Sequence, residues 1–84
     1  MPDSKIRIQI YTTAFCAYCD AAKRLLKSRH LEFEEIDVSE PAQKEALKNR
    51  TGWRTVPQIF FDGKLIGGYQ ELAAMDRKGE LKFE

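Results

Sequence analysis

The pattern of hydrophobic and polar residues near the start of the chain predicts a strand followed by a helix. Residues 5–11 read KIRIQIY and alternate strictly between polar and apolar side chains. This alternation, with β-branched isoleucine at the apolar positions, is typical of a strand with one buried face. From Cys19 onward the apolar residues Ala22, Leu25 and Leu26 recur at helical spacing among charged residues. An amphipathic helix is therefore expected directly after the strand.

A second strand and a second helix are predicted in the middle of the chain. Residues 31–38 alternate once more between polar and apolar side chains. Residues 39–41, Ser-Glu-Pro, suit the start of a helix, and Gly52 suits its end. The apolar residues of this helix are Ala42, Ala46 and Leu47. Because a helix separates the first two strands, we expect them to be parallel, with a right-handed crossover.

The last third of the chain predicts a hairpin and a final helix. The segment PQIFFDGKLIGG contains two short apolar runs joined by Asp62 and Gly63, a pair that favours the positive φ angles of a type I′ turn. Residues 69–78 then predict a helix with Leu72 and Met75 facing inward and a glycine at its end. The element order β-α-β-α-β-β-α predicts an α/β fold with a small mixed sheet covered by helices.

Length and composition narrow the possible classes of protein. A chain of 84 residues suits a single core, so we expect one domain over residues 1–84. Fourteen Lys and Arg against thirteen Asp and Glu give a net charge of +1, which provides no strong attraction to nucleic acid or to a membrane. The start of the chain lacks a signal-peptide core, and no segment approaches the roughly 18 apolar residues of a membrane span. We therefore expect a soluble, cytoplasmic monomer without nucleic-acid or membrane partners.

Cys16 and Cys19 are the only cysteines in the chain, and they could hold a metal, staple the fold or do chemistry. A reducing cytoplasm disfavours a permanent disulfide. A closed zinc site normally takes four protein ligands, and the only other good candidate is His30. Residues three apart on a helix share a face, so this pair can close a disulfide with a small local adjustment. Two small buried residues remain an alternative, but a C-x-x-C pair at a strand-to-helix turn favours redox chemistry.

The position of each cysteine on the helix predicts its role. Cys16 lies where the strand passes into the helix, so unpaired N–H groups and the helix dipole should lower its pKa below the free value of about 8.5. We expect Cys16 to be the nucleophile, and Cys19, one turn further in, to be buried and to resolve the mixed disulfide. His30 lies at the far end of the helix and is left out of the mechanism, and Lys23 and Arg24 are interpreted as a solvated face.

Two further motifs favour the binding of a peptide and of a carboxylate. If the bond before Pro57 is cis, the Thr55-Val56-Pro57 turn would present the Val56 backbone as a docking edge, although a trans proline is the commoner state at a strand start. Gly67 and Gly68 precede the last helix and would let its N–H groups approach a carboxylate. A strand-to-helix turn also requires glycine, so this second motif is weak alone.

Together, CAYC after a strand, WRTVPQIF and GGYQEL resemble the glutaredoxin family, a branch of the thioredoxin fold, over essentially the whole chain. The resemblance implies a thioredoxin-like four-stranded mixed sheet ordered 2-1-3-4, a cis bond at Pro57 and glutathione as the reducing partner. Its substrates would be disulfide-containing or glutathionylated proteins, and no metal is required. The glutathione-binding residues that it implies are Tyr18, Arg54, Thr55, Val56, Pro57, Gly68, Tyr69 and Gln70.

The resemblance also implies how each part of the site would act. Cys16 would attack a mixed disulfide, and either the second cysteine or a second glutathione would resolve it. Tyr18 would flank the glutathione sulfur, and residues 55–56 would pair with its cysteinyl backbone. Residues 68–70 would hold the γ-glutamyl end, while Arg54 and the start of the last helix would help to neutralise the carboxylates of glutathione.

Three positions depart from the usual pattern of the family. Thr13 replaces a lysine, Ala17 replaces the proline of Cys-Pro-Tyr-Cys, and Gln70-Glu71 replaces Asp-Asp, so we expect weakened or retuned glutathione binding. In family members without that proline, two subunits can hold a [2Fe-2S] cluster through their first cysteines and two glutathiones. A cluster carrier that uses Cys16 in a dimer is therefore the alternative function. Direct reduction by a thioredoxin reductase is a further rival, which the second and third motifs disfavour.

Overall fold

A computed structural model describes residues 7–81, which form four strands and three helices. In chain order they are β1 (Ile8–Thr12), α1 (Ala17–Ser28), β2 (Glu34–Asp37), α2 (Pro41–Thr51), β3 (Gln58–Phe61), β4 (Lys64–Gly67) and α3 (Tyr69–Arg77). This order confirms the one predicted from the sequence, although the predicted start of the first strand at Lys5 lies outside the described residues. The second strand is shorter than the predicted 31–38, and Leu31 and Phe33, which precede it, pack against the core.

The sheet has the order β2-β1-β3-β4, which confirms the thioredoxin-like topology. Strands β1 and β2 are parallel, with Gln9 opposite Glu34, and β1 and β3 are antiparallel, with Ile10 opposite Ile59. The central strand β1 ends at Thr12, and α1 begins five residues later. The carboxyl end of a central strand therefore leads directly into the start of α1.

The core lies between one face of the sheet and helices α1 and α3. Its buried members are Ile8, Ile10, Ala22, Leu26, Ile59, Phe61, Leu72 and Leu81. Each of the larger side chains contributes about 1.5–3 kcal/mol by leaving water. Arg29 at the end of α1 donates two hydrogen bonds, of 2.6 and 2.9 Å, to the carboxylate of Asp76 in α3. The two helices are thus joined by apolar packing and by one bidentate ion pair.

Helix α2 contacts residues on the opposite face of the sheet, and it does so largely through a polar side chain. Of its three apolar residues only Leu47 is buried, and the two alanines are exposed. The guanidinium of Arg50 lies 5.4 Å from the ring centre of Tyr11 and 5.7 Å from that of Phe60, and it donates a 3.0 Å hydrogen bond to the Tyr11 hydroxyl. Cation–π contacts therefore cover sheet surface that an apolar stripe would otherwise have covered.

The turns follow the predicted chemistry. Asp62 and Gly63 have φ angles of 53° and 83°, as a type I′ hairpin turn requires. Gly52 ends α2 with a φ of 80°. None of the helices among residues 7–81 is long and apolar enough to cross a membrane.

Candidate active site

The two cysteines lie at the start of α1 and are joined by a disulfide, with their Cα atoms 5.2 Å apart. Cys16 is the N-cap residue and has an extended backbone, with φ −120° and ψ 105°. Its Sγ atom accepts a 3.0 Å hydrogen bond from the backbone N–H of Cys19. A sulfur that accepts a hydrogen bond from an N–H group in the first turn of a helix is stabilised there when it carries a negative charge, because the helix dipole is positive at that end.

The two sulfurs differ in their access to solvent. Cys19 is only 1% exposed, beside the buried core, whereas Cys16 is half-buried at the surface. The sulfur of Cys16 lies 3.9 Å from the carbonyl oxygen of Val56, which is 40 residues away in the sequence. An incoming molecule can therefore reach Cys16, and it meets the Val56 backbone when it does.

The loop that carries Val56 is held by a buried side chain. The Val56–Pro57 peptide bond is cis, as the family resemblance implied. Gln58, the first residue of β3, is 2% exposed, and its Nε2 atom donates to the carbonyl oxygens of Trp53 (3.1 Å) and Thr55 (3.2 Å). One side chain thus fixes two carbonyls of the segment that precedes Pro57.

The glycine pair before α3 permits a close approach of two chain segments. Gly67 has a φ of 129°, and a Cβ atom there would lie 2.6 Å from Cγ of Glu71. A Cβ atom on Gly68 would lie 3.2 Å from the carbonyl oxygen of Pro57. The Gly68 N–H donates to the Glu71 carboxylate at 2.8 Å, which caps the helix from within. The start of α3 therefore lies directly against the loop that ends in Pro57.

These three segments enclose a groove of about 360 Å³. Its lining residues are Tyr18, Trp53, Thr55, Val56, Pro57, Gly68, Tyr69, Gln70 and Glu71. The rings of Tyr18 and Tyr69 are 6.0 Å apart and face each other at 32°. The groove thus contains every residue that the family resemblance implied for glutathione binding, with the exception of Arg54.

Comparison with known proteins agrees with this arrangement. Residues 8–66 match the sequence model of the glutaredoxin family. The chain belongs to the glutaredoxin family. It is 43% identical over 75 residues to glutaredoxin 3 of Escherichia coli K12, and the match covers 88% of this chain and 90% of that relative. It is likewise 43% identical over 77 residues to glutaredoxin 1 of Rickettsia prowazekii, covering 88% and 81% of the two chains.

Solved glutaredoxin structures have the same fold. The glutaredoxin of Brucella melitensis superposes with a TM-score of 0.80 at 39% identity, covering 96% of this chain and 89% of that one. The glutathione complex of buckwheat glutaredoxin superposes with a TM-score of 0.80 at 29% identity, covering 89% and 72%. Family membership together with the Cys16–Cys19 pair makes this glutaredoxin a thiol-disulfide oxidoreductase.

Arg54 is the one implied contact that the structure does not bring to the groove. Its two neighbours in the chain, Trp53 and Thr55, both line the groove. Arg54 lies between them, is exposed, and lines a separate cleft with Lys44 and Lys48 of α2.

Three further residues of the site, Trp53, Gln58 and Glu71, were not predicted from the sequence. Trp53 adds an aromatic wall to the groove, Gln58 fixes the loop, and Glu71 caps α3 while lining the groove. A signal was present for Glu71, because a glutamate three residues after a helix cap commonly accepts the N–H of the cap residue. For Gln58 the alternation of the strand gave only a position in β3 and no indication of which backbone atoms the side chain would reach.

Lys23 has a structural partner and is not simply a solvated charge. Its Nζ atom lies 2.9 Å from Oε2 of Glu35, and the Thr12 hydroxyl donates to the same oxygen at 2.8 Å. These hydrogen bonds, that from Lys23 first, hold the pKa of Glu35 below its usual range. The network joins α1 to β1 and β2 behind the active site. Among residues 7–81, no three His, Cys, Asp or Glu side chains come together as a metal site.

Proposed function

We propose that this glutaredoxin uses glutathione to reduce protein disulfides and glutathione mixed disulfides. The observation that carries the proposal is the position of Cys16. Its accessible sulfur lies 3.9 Å from the Val56 backbone at one end of a groove that is built by all three motifs. A peptide whose cysteine sulfur is bonded to Cys16 would have its own backbone beside that of Val56.

The groove suits an extended tripeptide with a carboxylate at its γ-glutamyl end. The N–H and C=O groups of Val56 can pair with an extended backbone in the manner of an added strand. At the other end, the first-turn N–H groups of Tyr69 and Gln70 have no acceptor within the helix and favour a carboxylate. The glutathione complex of the buckwheat relative, which has the same fold, supports this choice of ligand.

The chemistry proceeds by two exchanges. The thiolate of reduced Cys16 attacks the glutathione sulfur of a mixed disulfide, a Cys16–glutathione disulfide forms, and the protein cysteine leaves as a thiolate that takes a proton from water. The thiolate of a second glutathione then attacks the bound glutathione sulfur and releases oxidised glutathione and Cys16. With a protein disulfide as substrate, the Cys16 thiolate attacks one of its sulfurs and displaces the other as a thiolate, which takes a proton from water. Cys19 then loses its proton to water and attacks the sulfur of Cys16, so that the second substrate cysteine leaves as a thiolate and the disulfide seen in the structure forms. Two glutathione thiols reduce this disulfide in two further exchanges and leave as oxidised glutathione.

The test is an assay of the wild type, Cys16→Ser and Cys19→Ser with a glutathionylated peptide, glutathione and NADPH-driven glutathione reductase. Cys16→Ser should abolish turnover because the other cysteine, Cys19, is only 1% exposed and cannot be reached by the substrate. Cys19→Ser should retain substantial turnover, because glutathione can resolve the mixed disulfide. A wild type that is inert in this assay, with its cysteines reduced beforehand, would refute glutathione dependence.

A [2Fe-2S] cluster carried in a dimer competes for the same thiolate. Each chain would supply Cys16, which is half-buried at the edge of the groove and is available only when it is not bonded to Cys19. Anaerobic reconstitution of the reduced protein with iron, sulfide and glutathione tests this role. A coloured dimer that Cys16→Ser cannot form would establish it, and a colourless monomer would exclude it.

A further inference from the structure

Two large apolar side chains are exposed beside the reactive sulfur. Among residues 7–81 the exposed large hydrophobic residues are Phe15, which is completely exposed, and Tyr18, which is 62% exposed. They lie one residue before and two residues after Cys16. Exposed apolar side chains that cluster at one place commonly mark contact with a partner.

Phe15 also has an unfavourable backbone conformation. Its φ angle is 58°, in the left-handed region that bulky residues seldom adopt. Asparagine or glycine would adopt this conformation more easily, and removing a completely exposed ring would cost the core no packing. A residue whose backbone conformation and side-chain exposure are both unfavourable, and which lies directly beside a reactive group, indicates a role in function and not in the stability of the fold.

The groove accounts for Tyr18 but not for Phe15. Tyr18 lines the groove, and its ring lies 6.0 Å from that of Tyr69. Phe15 does not belong to the lining of the groove. A ligand that fills the groove therefore leaves Phe15 available to another part of the substrate.

A glutathionylated protein has such a second part. In the exchange, the Cys16 sulfur, the glutathione sulfur and the leaving protein sulfur lie in a row, with neighbouring sulfurs separated by little more than a disulfide bond length of about 2.05 Å. While glutathione occupies the groove, the polypeptide around the leaving cysteine must lie outside it. That polypeptide comes within the reach of a side chain on the turn before Cys16.

We infer that Phe15 is a specificity residue that contacts apolar side chains next to the glutathionylated cysteine of the substrate protein. The inference rests on the proposed function and deepens it by naming the substrate class, which is cysteines flanked by residues such as leucine. Burial of a phenylalanine ring against such side chains is sufficient for a preference of about tenfold in kcat/KM. Serine flanks provide no comparable contact.

The test compares two glutathionylated peptides that differ only in the residues flanking the cysteine, leucine in one and serine in the other. The measured quantity is the ratio of their kcat/KM values for the wild type, Phe15→Asn and Phe15→Trp. Asparagine tolerates a positive φ, so Phe15→Asn removes the ring without backbone strain. We expect a ratio of about ten for the wild type, near one for Phe15→Asn, and again near ten for Phe15→Trp, which retains an aromatic surface.

A wild-type ratio near one, or an equal ratio in wild type and Phe15→Asn, would overturn the inference while turnover of both peptides left the proposed function intact. Failure of the wild type to turn over either peptide would overturn both. A melting temperature for Phe15→Asn at or above that of the wild type confirms that the variant is folded.

Discussion

Replacement of Gln58 by methionine separates the stability of the fold from the positioning of the loop beside Cys16. Methionine has nearly the same length as glutamine but cannot donate the two hydrogen bonds to Trp53 and Thr55. Two such bonds contribute about 1–3 kcal/mol together. However, Oε1 of Gln58 is buried without a hydrogen-bond partner among residues 7–81. Methionine removes this unpaired oxygen, which stabilises the folded state by about 1–3 kcal/mol. The net change in the free energy of unfolding should therefore stay within about 2 kcal/mol in either direction.

The effect on catalysis should appear whether the variant is more or less stable than the wild type. Without Gln58, the segment that carries Val56 loses its anchor, and a bound peptide must pay part of the ordering entropy of the loop. We expect KM for a glutathionylated peptide to rise about three- to tenfold with a smaller change in kcat, which corresponds to about 0.7–1.4 kcal/mol of binding. Steady-state kinetics and urea unfolding measure the two quantities.

Gln9→Met provides the matched control. Gln9 lies in β1 opposite Phe60 of β3, and its amide donates to Glu34 of β2, the edge strand at the far end of the sheet from β4. This control should leave both KM and kcat unchanged. Equal KM values for Gln58→Met and wild type would refute the positioning role, and a loss of stability well above 3 kcal/mol would refute the balance of hydrogen bonds given above.

Two further predictions concern electrostatics. The hydrogen bonds from Arg29 hold the pKa of Asp76 below its usual range. The ion pair therefore stabilises the fold at pH values above the unfolded-state pKa of Asp76, about 3.9. This stabilisation is lost as the pH falls through the lower pKa of the folded state. Asp76→Asn should accordingly lower the melting temperature near pH 7, and thermal melts should show the difference shrinking as the pH falls below about 3.9. Thr13→Lys and Gln70→Asp, which restore charges usual in the family, should each tighten glutathione binding about two- to fivefold in titration calorimetry. For Thr13→Lys the gain should shrink at high salt, and unchanged affinity in both variants would contradict the expected role of these positions.

Local sequence patterns predicted the elements of the fold because each pattern depends only on a few neighbouring residues. The alternation in β1, the Asp62-Gly63 turn and the helical spacing after Cys19 all have causes within the segment itself. Helix α2 shows where such reasoning fails. Its apolar alanines remain exposed, and Arg50 covers the sheet through aromatic contacts that depend on residues of two distant strands.

The same distinction applies to the candidate site. The motifs identified the two cysteines and most of the groove lining, because a motif records which residues lie at fixed places along the chain. They did not show the direction in which Arg54 points. The path of the loop that carries it is held by a hydrogen bond from Gln58 to the Thr55 carbonyl and passes close to Gly68, where a Cβ atom would lie 3.2 Å from the Pro57 carbonyl oxygen. Neither contact is visible in a single segment of the sequence.

The residues that line the groove indicate how a ligand would be recognised there. Among residues 7–81, the only charged residue that lines the groove is Glu71, and its carboxylate already accepts the N–H of Gly68. A ligand with two carboxylates therefore meets few side-chain cations and must rely on backbone groups, at Val56 and at the start of α3. Backbone groups are fixed by the fold and bind with little further ordering. Affinity in this glutaredoxin should consequently depend on how firmly Gln58 and the glycine pair hold those backbones, and less on the charges that the family usually provides.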